Sequence, residues 1–183
     1  MQKKLKIVAI IQARMGSKRL KGKSLMKICG EPLLLRVIKQ VSNASLIDEL
    51  IVATTKNIED LAIIKICKKY NFKVFSGSSL NVLKRYYEAA KETEADIIVR
   101  ITGDCPLIAP DTIDEVIKEF LNSDCDYASN TNPYTRSEGQ DVEVFSSKIL
   151  EYAKKHAYEK PDLEHVTLFL KKNRFLSKLN IYH

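Results

Sequence analysis

Short apolar runs alternate along this chain with longer segments of helical periodicity. The apolar runs carry few polar residues on either face, as is typical of strands that are buried on both sides in a parallel sheet. They predict strands at residues 6–11, 49–55, 73–77, 96–102, 126–130 and 142–145. In the intervening segments, apolar residues recur every three or four positions. They predict helices at 32–41, 57–70, 81–92, 111–122, 148–157 and 163–172.

The repeated strand–helix–strand order predicts an α/β fold, with a mostly parallel sheet covered by helices on both faces. A chain of 183 residues has the length of one domain, so we expect a single domain over 1–183. Sheets of this kind bind ligands beyond the carboxyl ends of their strands. That rule places four connecting segments along one edge: 12–23, 53–56, 76–81 and 103–106.

Positive charge is concentrated near the start of the chain. The formal net charge is +7, yet the first 40 residues hold 11 of the 30 basic residues and a single acid, Glu31. A positive field at one end of a fold suits a small polyanion better than a long nucleic-acid track, so we expect no nucleic-acid partner.

Composition also bears on the compartment. The sequence has no apolar run near the roughly 20 residues that span a bilayer. Its four cysteines show no metal-binding spacing. We therefore expect a cytoplasmic protein with reduced thiols and no membrane partner.

The first predicted strand leads into a loop that is rich in cations and punctuated by Gly16 and Gly22. Glycine lets the backbone approach an anion closely, while Lys and Arg neutralise its charge. The cations of this loop are Arg14, Lys18, Arg19, Lys21 and Lys23. The pattern predicts a polyphosphate-binding loop, against the alternative of a merely solvated surface. It is neither a GxGxxG motif nor a P-loop, since five residues separate the two glycines instead of four.

Carboxylates follow or enter predicted strands at two places on the same edge. Asp104 comes just after the strand at 96–102 and could hold Mg²⁺ while substrate phosphates complete its shell. The alternative is a cap of the turn before Pro106, and the neighbouring phosphate loop favours Mg²⁺. Asp141 and Glu143 alternate onto one side of an extended segment. They could bind sugar hydroxyls or a metal, or belong to a solvent-facing strand.

Polar and cationic side chains lie near two further strand ends. Ser78 can hydrogen-bond a nucleobase or ribose, or help to cap the helix that follows. Arg85 and Arg100 are candidates for binding an anionic substrate. Arg100 lies inside an otherwise apolar strand, where an unpaired charge would be costly.

The chain resembles cytidylyltransferases of the spore-coat polysaccharide biosynthesis type, which are relatives of the acylneuraminate and 3-deoxy-manno-octulosonate cytidylyltransferases. The motifs that carry the resemblance are, in order, IIQARMGSKRLKGK, GEPLL, IVATT, VFSGS, RYYEAA, IVRITGDCPLI, DVEVFS and EHVT. The resemblance implies a nucleotidyltransferase fold of the GT-A type. It also implies Mg²⁺-assisted transfer of CMP from CTP to a sugar hydroxyl, with release of pyrophosphate. Relatives often dimerise, so a homodimer is compatible with the resemblance.

The resemblance also implies roles for individual residues. The implied contacts to the triphosphate and the leaving pyrophosphate are Arg14, Arg19 and Lys23. The implied Mg²⁺ ligand is Asp104. The residues implied near the base are Ser78 and Arg85, and those implied to face the sugar are Asp141 and Glu143. We also expect Arg100 to bind the sugar, as a candidate for contact with an anionic substrate. The remaining nucleotide-binding residues are expected to be Gln12, Ala13, Gly16, Ser17, Lys18, Thr102 and Gly103.

Two features depart from the family pattern. Family members usually carry RLPGK, and Lys21 stands here in place of the proline that would fix backbone φ, so we expect a looser but more cationic loop. Family members also continue to a segment of the type VDTPEDL, whose first Asp supplies a second metal contact. This sequence ends at NRFLSKLNIYH. We therefore expect Asp141 or Glu143 to substitute, or catalysis to be weak.

Two other function classes compete with a cytidylyltransferase. One is a nucleotide-binding module without catalysis. The other is a GT-A glycosyltransferase, which usually carries a DxD metal motif after a strand. Asp124-Cys125-Asp126 has that spacing, but it precedes a predicted strand, so we interpret it as incidental.

Overall fold

The computed structural model of the protein describes residues 4–17, 19–131, 133–134 and 136–182. Its strands are β1 (Ile7–Gln12), β2 (Lys27–Ile28), β3 (Glu31–Pro32), β4 (Glu49–Thr55), β5 (Lys73–Gly77), β6 (Ile97–Thr102), β7 (Tyr127–Ser129), β8 (Glu143–Ser146) and β9 (Lys178–Asn180). Its α-helices are α1 (Leu33–Ser42), α2 (Leu61–Lys69), α3 (Val82–Glu92), α4 (Pro110–Leu121), α5 (Ser147–His156), α6 (Lys160–Glu164) and α7 (Leu168–Lys172). Short 3₁₀ turns occupy Lys23–Leu25 and Ile58–Asp60.

Seven strands form one sheet in the order β5-β4-β1-β6-β8-β7-β9, and β2 and β3 form a separate hairpin. β1 pairs in parallel with both β4 and β6, and β5 and β9 also pair in parallel with their neighbours. Of the described strands in this sheet, only β8 runs antiparallel to its neighbours. The prediction of a mostly parallel sheet is confirmed.

Helices cover both faces of the sheet, as the sequence predicts. Successive residues of a strand point to opposite faces. On β1, Ile7, Ala9 and Ile11 pack into a core formed with α1, α2 and α4. Val8 and Ile10 point the other way, into a core formed with α3, α5 and α7. Both cores are buried, so the central strands are apolar on both faces.

Local sequence explains where several helices begin. Pro32 immediately precedes α1, and Pro110 is the first residue of α4, where its missing N–H costs no intrahelical bond. The Asn81 side chain caps α3 by accepting a hydrogen bond from the backbone N–H of Lys84 at 2.7 Å.

The single helix predicted at 163–172 is wrong, because α6 and α7 are separated by residues 165–167. Val166 is fully buried and Thr167 donates a hydrogen bond to Glu143 at 2.8 Å. Neighbouring residues of a helix point about 100° apart. The break therefore lets two adjacent side chains both reach the interior.

The hydrophobic pattern also fails to predict β2, β3 and β9, which have two or three residues each. Periodicity needs about four residues to be recognised. The β2–β3 hairpin turns at Cys29 and Gly30, whose φ angles are +49° and +82°, the left-handed pair that a tight hairpin turn requires. Among the described helices, none has both the length and the apolar character needed to cross a bilayer.

Candidate active site

The carboxyl ends of four strands and the start of a fifth lie along one edge of the sheet. Gln12, Thr55, Gly77 and Thr102 end the parallel strands β1, β4, β5 and β6. Because β8 is antiparallel to β6, its first residue, Glu143, lies at the same edge. The strand ends that were predicted to share one edge do so, and the segment before β8 joins them.

A cleft of about 290 Å³ opens at this edge between the loop after β1 and the turn after β6. It brings together most of the residues predicted to bind triphosphate and metal: Gln12, Ala13, Arg14, Ser17, Arg19, Lys23, Thr102, Gly103 and Asp104. Ser24 and Glu164 also line it. Lys18, another predicted member, lies outside the described residues.

The loop that lines the cleft is folded around Met15. The carbonyl of Met15 accepts hydrogen bonds from the backbone N–H groups of Ser17 and Gly22, both at 2.9 Å. Gly22 has φ +73°, a left-handed conformation that favours glycine. The Ser24 hydroxyl donates to the carbonyl of Arg14 at 3.2 Å. These bonds close the loop, and three of its cations, Arg14, Arg19 and Lys23, line the same cleft.

The floor of the cleft depends on a close approach between β1 and the turn after β6. The N–H of Gly103 donates to the carbonyl of Gln12 at 2.8 Å. A Cβ atom at position 103 would lie 2.7 Å from that same oxygen, closer than real Cβ contacts come. Glycine is therefore required here by space. The side-chain oxygen Oε1 of Gln12 is buried and has no hydrogen-bond partner among the described residues, so it can accept from a ligand.

Gly16 is less constrained. A Cβ atom there would lie 2.7 Å from Oε1 of Glu59, which belongs to a flexible side chain that can move away. The glycine therefore does not by itself show that the backbone must approach an anion at this position.

Asp104 and Lys23 form an ion pair across the cleft. Partial burial opposes ionisation of Asp104, but the hydrogen bond and the charge of Lys23 outweigh it. With a further hydrogen bond from Thr102, they lower the pKa of Asp104 below its ordinary value. The carboxylate is thus held ionised beside the cationic loop.

Glu143 is fully buried in a network of protein groups. Its Oε2 pairs with Arg100, and its Oε1 accepts from Lys171 at 2.7 Å, Tyr127 at 2.5 Å and Thr167 at 2.8 Å. Burial opposes ionisation, but the two cations and the hydrogen bonds lower the pKa of Glu143 to about 2. The alternative of a solvent-facing strand is wrong for this residue, because a cation on each side compensates its buried charge.

Asp141 has a different environment from Glu143, although the two are only two residues apart. It is half-buried, and burial together with the charge of Glu143 raises its pKa, while Asp104 adds a smaller repulsive contribution. No other described residue pairs with or hydrogen-bonds its carboxylate. Of these two acids, Asp141 is therefore the one whose carboxylate has no partner among the described residues. It lies within electrostatic range of Asp104.

A second pocket, of about 400 Å³, adjoins the network around Glu143. It is lined by Arg100, His165, Thr167, Leu168 and Lys171. Glu164 lines the first cleft and His165 lines this pocket, so the two share one chain segment. Nε of Arg100 is buried without a hydrogen-bond partner among the described residues. Because Arg100 and Lys171 both line the pocket and share one carboxylate, Glu143, the pocket carries an excess of positive charge.

Ser78 directly follows β5 and Arg85 lies in α3, and neither lines the first cleft. Arg85 is fully buried and donates from one guanidinium nitrogen to the carbonyl of Ser78 at 2.6 Å. Its Nε and second terminal nitrogen have no hydrogen-bond partner among the described residues. The Ser78 hydroxyl accepts from the N–H of Asn81 at 3.0 Å, so the capping alternative is confirmed for this turn. Their role at a base stays a prediction.

The described residues include no large cluster of potential metal ligands. Within the part of the chain that the structure describes, no group of three or more His, Cys, Asp or Glu side chains could hold a metal ion. Asp124 and Asp126 precede β7, at the edge opposite the cleft, and Asp126 accepts hydrogen bonds from the backbone N–H and hydroxyl of Ser177. The DxD residues thus lie away from the cleft and before a strand, as predicted, and Asp126 has a structural contact instead.

Sequence reasoning did not identify several residues that build the site. Asp60 accepts the N–H of Met15 at 2.6 Å, yet its position within a helix-like pattern gave no signal. Lys171 and Tyr127 bind Glu143, but neither residue was singled out from the sequence. The motif EHVT was a usable signal, since it contains Glu164, which lines the cleft, and Thr167, which binds Glu143.

Residues 8–183 match the cytidylyltransferase family. The chain is 42% identical over 175 residues to an uncharacterized protein of Methanocaldococcus jannaschii, covering 96% of this chain and 71% of that protein. It is 30% identical over 177 residues to the spore coat polysaccharide biosynthesis protein SpsF of Bacillus subtilis, covering 94% and 73%. It is 37% identical over 143 residues to a 3-deoxy-manno-octulosonate cytidylyltransferase of Desulfosudis oleivorans, covering 75% and 56%.

The solved structures give the same result. A cytidylyltransferase from Leptospira borgpetersenii superposes with a TM-score of 0.94 at 30% sequence identity, covering 98% of this chain and 77% of that chain. The shared fold and the family match over nearly the whole chain agree with the cleft described above. This chain belongs to the cytidylyltransferase family.

Proposed function

We propose that this protein transfers the CMP part of CTP to a hydroxyl group of an acidic or amino sugar and releases pyrophosphate. The observation that carries the proposal is the cationic loop facing a carboxylate across one cleft: Arg14, Arg19 and Lys23 lie opposite Asp104. Two relatives, the spore coat polysaccharide biosynthesis protein SpsF and a 3-deoxy-manno-octulosonate cytidylyltransferase, support a role in surface polysaccharide synthesis. We place the reaction in the cytoplasm.

In the proposed reaction a sugar oxygen attacks the α-phosphorus of CTP. The bond from that phosphorus to the oxygen bridging the β-phosphorus breaks, pyrophosphate leaves, and the hydroxyl proton passes to solvent. Such transfers depend on alignment and on neutralising the charge that develops on the leaving group. The loop folded around Met15 supplies fixed cations on the side where pyrophosphate would leave.

Asp104 lines the cleft and Asp141 lies within electrostatic range of it, and these two carboxylates fit a Mg²⁺ ion. The Asp104 side chain is 37% exposed in the cleft, and the Asp141 carboxylate has no other partner among the described residues. Mg²⁺ prefers carboxylate oxygens and usually leaves several positions to phosphates and water. We therefore propose Asp104 and Asp141 as its protein ligands, and exclude Glu143, whose oxygens are already engaged. The ion would neutralise phosphate charge and lower the pKa of a nearby hydroxyl.

The sugar would lie in the pocket beside Glu143. Arg100 and Lys171 both line that pocket and share the single carboxylate of Glu143. The remaining positive charge suits an anionic group on the sugar. His165 and Thr167 add hydrogen-bonding groups on the segment that connects this pocket to the cleft.

A pyrophosphate-release assay tests the proposal. The protein is supplied with CTP, Mg²⁺ and, in turn, 3-deoxy-manno-octulosonate, an acylneuraminate and an amino sugar, and the products are identified by mass spectrometry. We expect pyrophosphate and a CMP-sugar in equal amounts with at least one acidic or amino sugar. Binding of CTP without turnover of any sugar would contradict catalysis and favour the nucleotide-binding module. That alternative is favoured by one observation, namely that no third described carboxylate joins Asp104 and Asp141.

A further inference from the structure

Asp60 is a fully buried carboxylate that lies directly before α2. Aspartate at such a position commonly accepts hydrogen bonds from the first amides of its own helix. The side chain of Asp60 makes no such capping bond. It accepts instead from the N–H of Met15 at 2.6 Å and from the hydroxyl of Thr55 at the end of β4. Its hydrogen-bonding capacity is thus directed to the phosphate loop and to the strand beneath it.

Met15 is the residue on which that loop closes. Its carbonyl accepts from Ser17 and Gly22, which bracket the segment that contains Arg19. Asp60 holds the N–H of the same residue, so one carboxylate fixes the base of the whole loop. Thr55 in turn accepts the N–H of Asn57 at 3.1 Å, which ties Asp60 to a rigid strand end.

The loop needs such an anchor because it brings several cations close together before any anion is present. Like charges repel, and ordering them only on binding would reduce affinity. Asp60 is also a buried counter-charge for this side of the site. Burial and the charge of Arg14 lower the pKa of the buried Arg85, and the charge of Asp60 opposes this lowering.

We propose that Asp60 is a positioning residue for the triphosphate of CTP, which holds the Met15 loop in its binding conformation without touching the nucleotide. The inference rests on the proposed function, since it presumes that the loop binds the β- and γ-phosphates. It goes beyond that function because it assigns triphosphate affinity to a residue outside the cleft lining.

Asp114 provides a matched control. It too is a largely buried acid that accepts backbone N–H groups of a distant loop, from Ser45 at 2.9 Å and Leu46 at 3.0 Å. That loop precedes β4 and therefore lies at the opposite edge of the sheet. Asp114→Ala and Asp60→Ala thus remove the same kind of interaction, but only the second removes it from the phosphate loop.

Isothermal titration with inorganic pyrophosphate, CTP and CMP separates positioning from general stability. We expect Asp60→Ala to weaken pyrophosphate and CTP binding by about tenfold or more, the cost of losing a charged hydrogen bond. CMP, which lacks the β- and γ-phosphates, should bind within about threefold of wild type. Asp60→Asn keeps an acceptor for Met15 and should recover most of the lost affinity. Asp114→Ala should bind all three ligands like wild type.

The outcomes are distinct. If wild type binds neither CTP nor pyrophosphate, both the proposed function and this inference fail. If wild type binds both and Asp60→Ala binds them equally well, only the role of Asp60 is overturned. An equal loss of CMP and CTP affinity in both alanine variants would also overturn it. Should Asp60→Ala not fold, Thr55→Val decides, with about a threefold to tenfold loss of pyrophosphate affinity expected and an unchanged affinity contradicting the proposal.

Discussion

The ammonium group of Lys23 donates a hydrogen bond to the carboxylate of Asp104. This contact joins the loop after β1 to the turn after β6 and so bridges the cleft. It also pairs the carboxylate proposed to hold Mg²⁺ with a cation proposed to hold phosphate. The two groups can separate when a triphosphate and a metal ion arrive, since each then gains a partner of opposite charge.

Replacing Asp104 with Asn tests the metal assignment. We expect kcat to fall by about 100-fold or more, equivalent to about 3 kcal/mol of transition-state stabilisation, because a metal ligand is lost. CTP binding in the absence of Mg²⁺ should be kept, since the removed charge repels phosphate. Steady-state kinetics and titration in a chelator measure the two effects.

Asp124→Asn is the control for that substitution. Asp124 is exposed and precedes β7 at the opposite edge of the sheet, so activity should stay at the wild-type level. Wild-type activity in Asp104→Asn would contradict the assignment of Asp104 as a metal ligand. A loss of activity only in Asp124→Asn would also contradict it and would favour a metal site at the DxD motif.

Glu143→Gln removes the charge that neutralises Arg100 and Lys171. Breaking a buried ion pair by removing one partner leaves an uncompensated charge, so we expect a loss of about 3 kcal/mol in the free energy of unfolding. Urea denaturation measures it. Glu119→Gln, on the exposed face of α4, should change stability by less than about 0.5 kcal/mol. An equal free energy of unfolding in the two variants would show that the ion pairs of Glu143 contribute nothing to stability.

The same network predicts an acid dependence of stability. Glu143 has a pKa of about 2 in the fold, lowered from an ordinary value of 4.5. A lowered carboxyl pKa stabilises the fold fully above the unfolded value, and this stabilisation is lost as pH falls from about 4.5 through about 2. The stability gap between wild type and Glu143→Gln should therefore narrow over that range. A gap that stays constant between pH 6 and pH 3 would contradict the assignment.

Much of this architecture could be predicted from sequence because it rests on local signals. Apolar runs predict the parallel strands, and the rule that ligands bind at their carboxyl ends places Arg14, Lys23 and Asp104 together. The burial of Glu143 could not be predicted, because its cations come from β6 and from α7, far apart in sequence. The contact of Asp60 with the loop could not be predicted for the same reason, because its partner Met15 is 45 residues away in the sequence.

Gly103→Ala tests the close approach beneath the cleft. The added Cβ would lie 2.7 Å from the carbonyl of Gln12, so β1 and the turn after β6 must move apart. We expect a loss of about 1–3 kcal/mol in stability together with weaker CTP binding. Gly30→Ala is the control, since that glycine has a left-handed φ of +82° but open space around it. Gly30→Ala should lower the free energy of unfolding by about 1 kcal/mol and leave CTP affinity unchanged. Identical CTP affinities in both variants would contradict the role of Gly103.

The central claim is that the cationic loop and Asp104 form a CTP site. Calorimetric titration of CTP, with ATP, GTP and UTP as comparisons and with or without Mg²⁺, tests it most directly. The account predicts binding of CTP in preference to the other three nucleotides, strengthened by Mg²⁺. No binding of any nucleotide, or binding of all four with equal affinity, would contradict it.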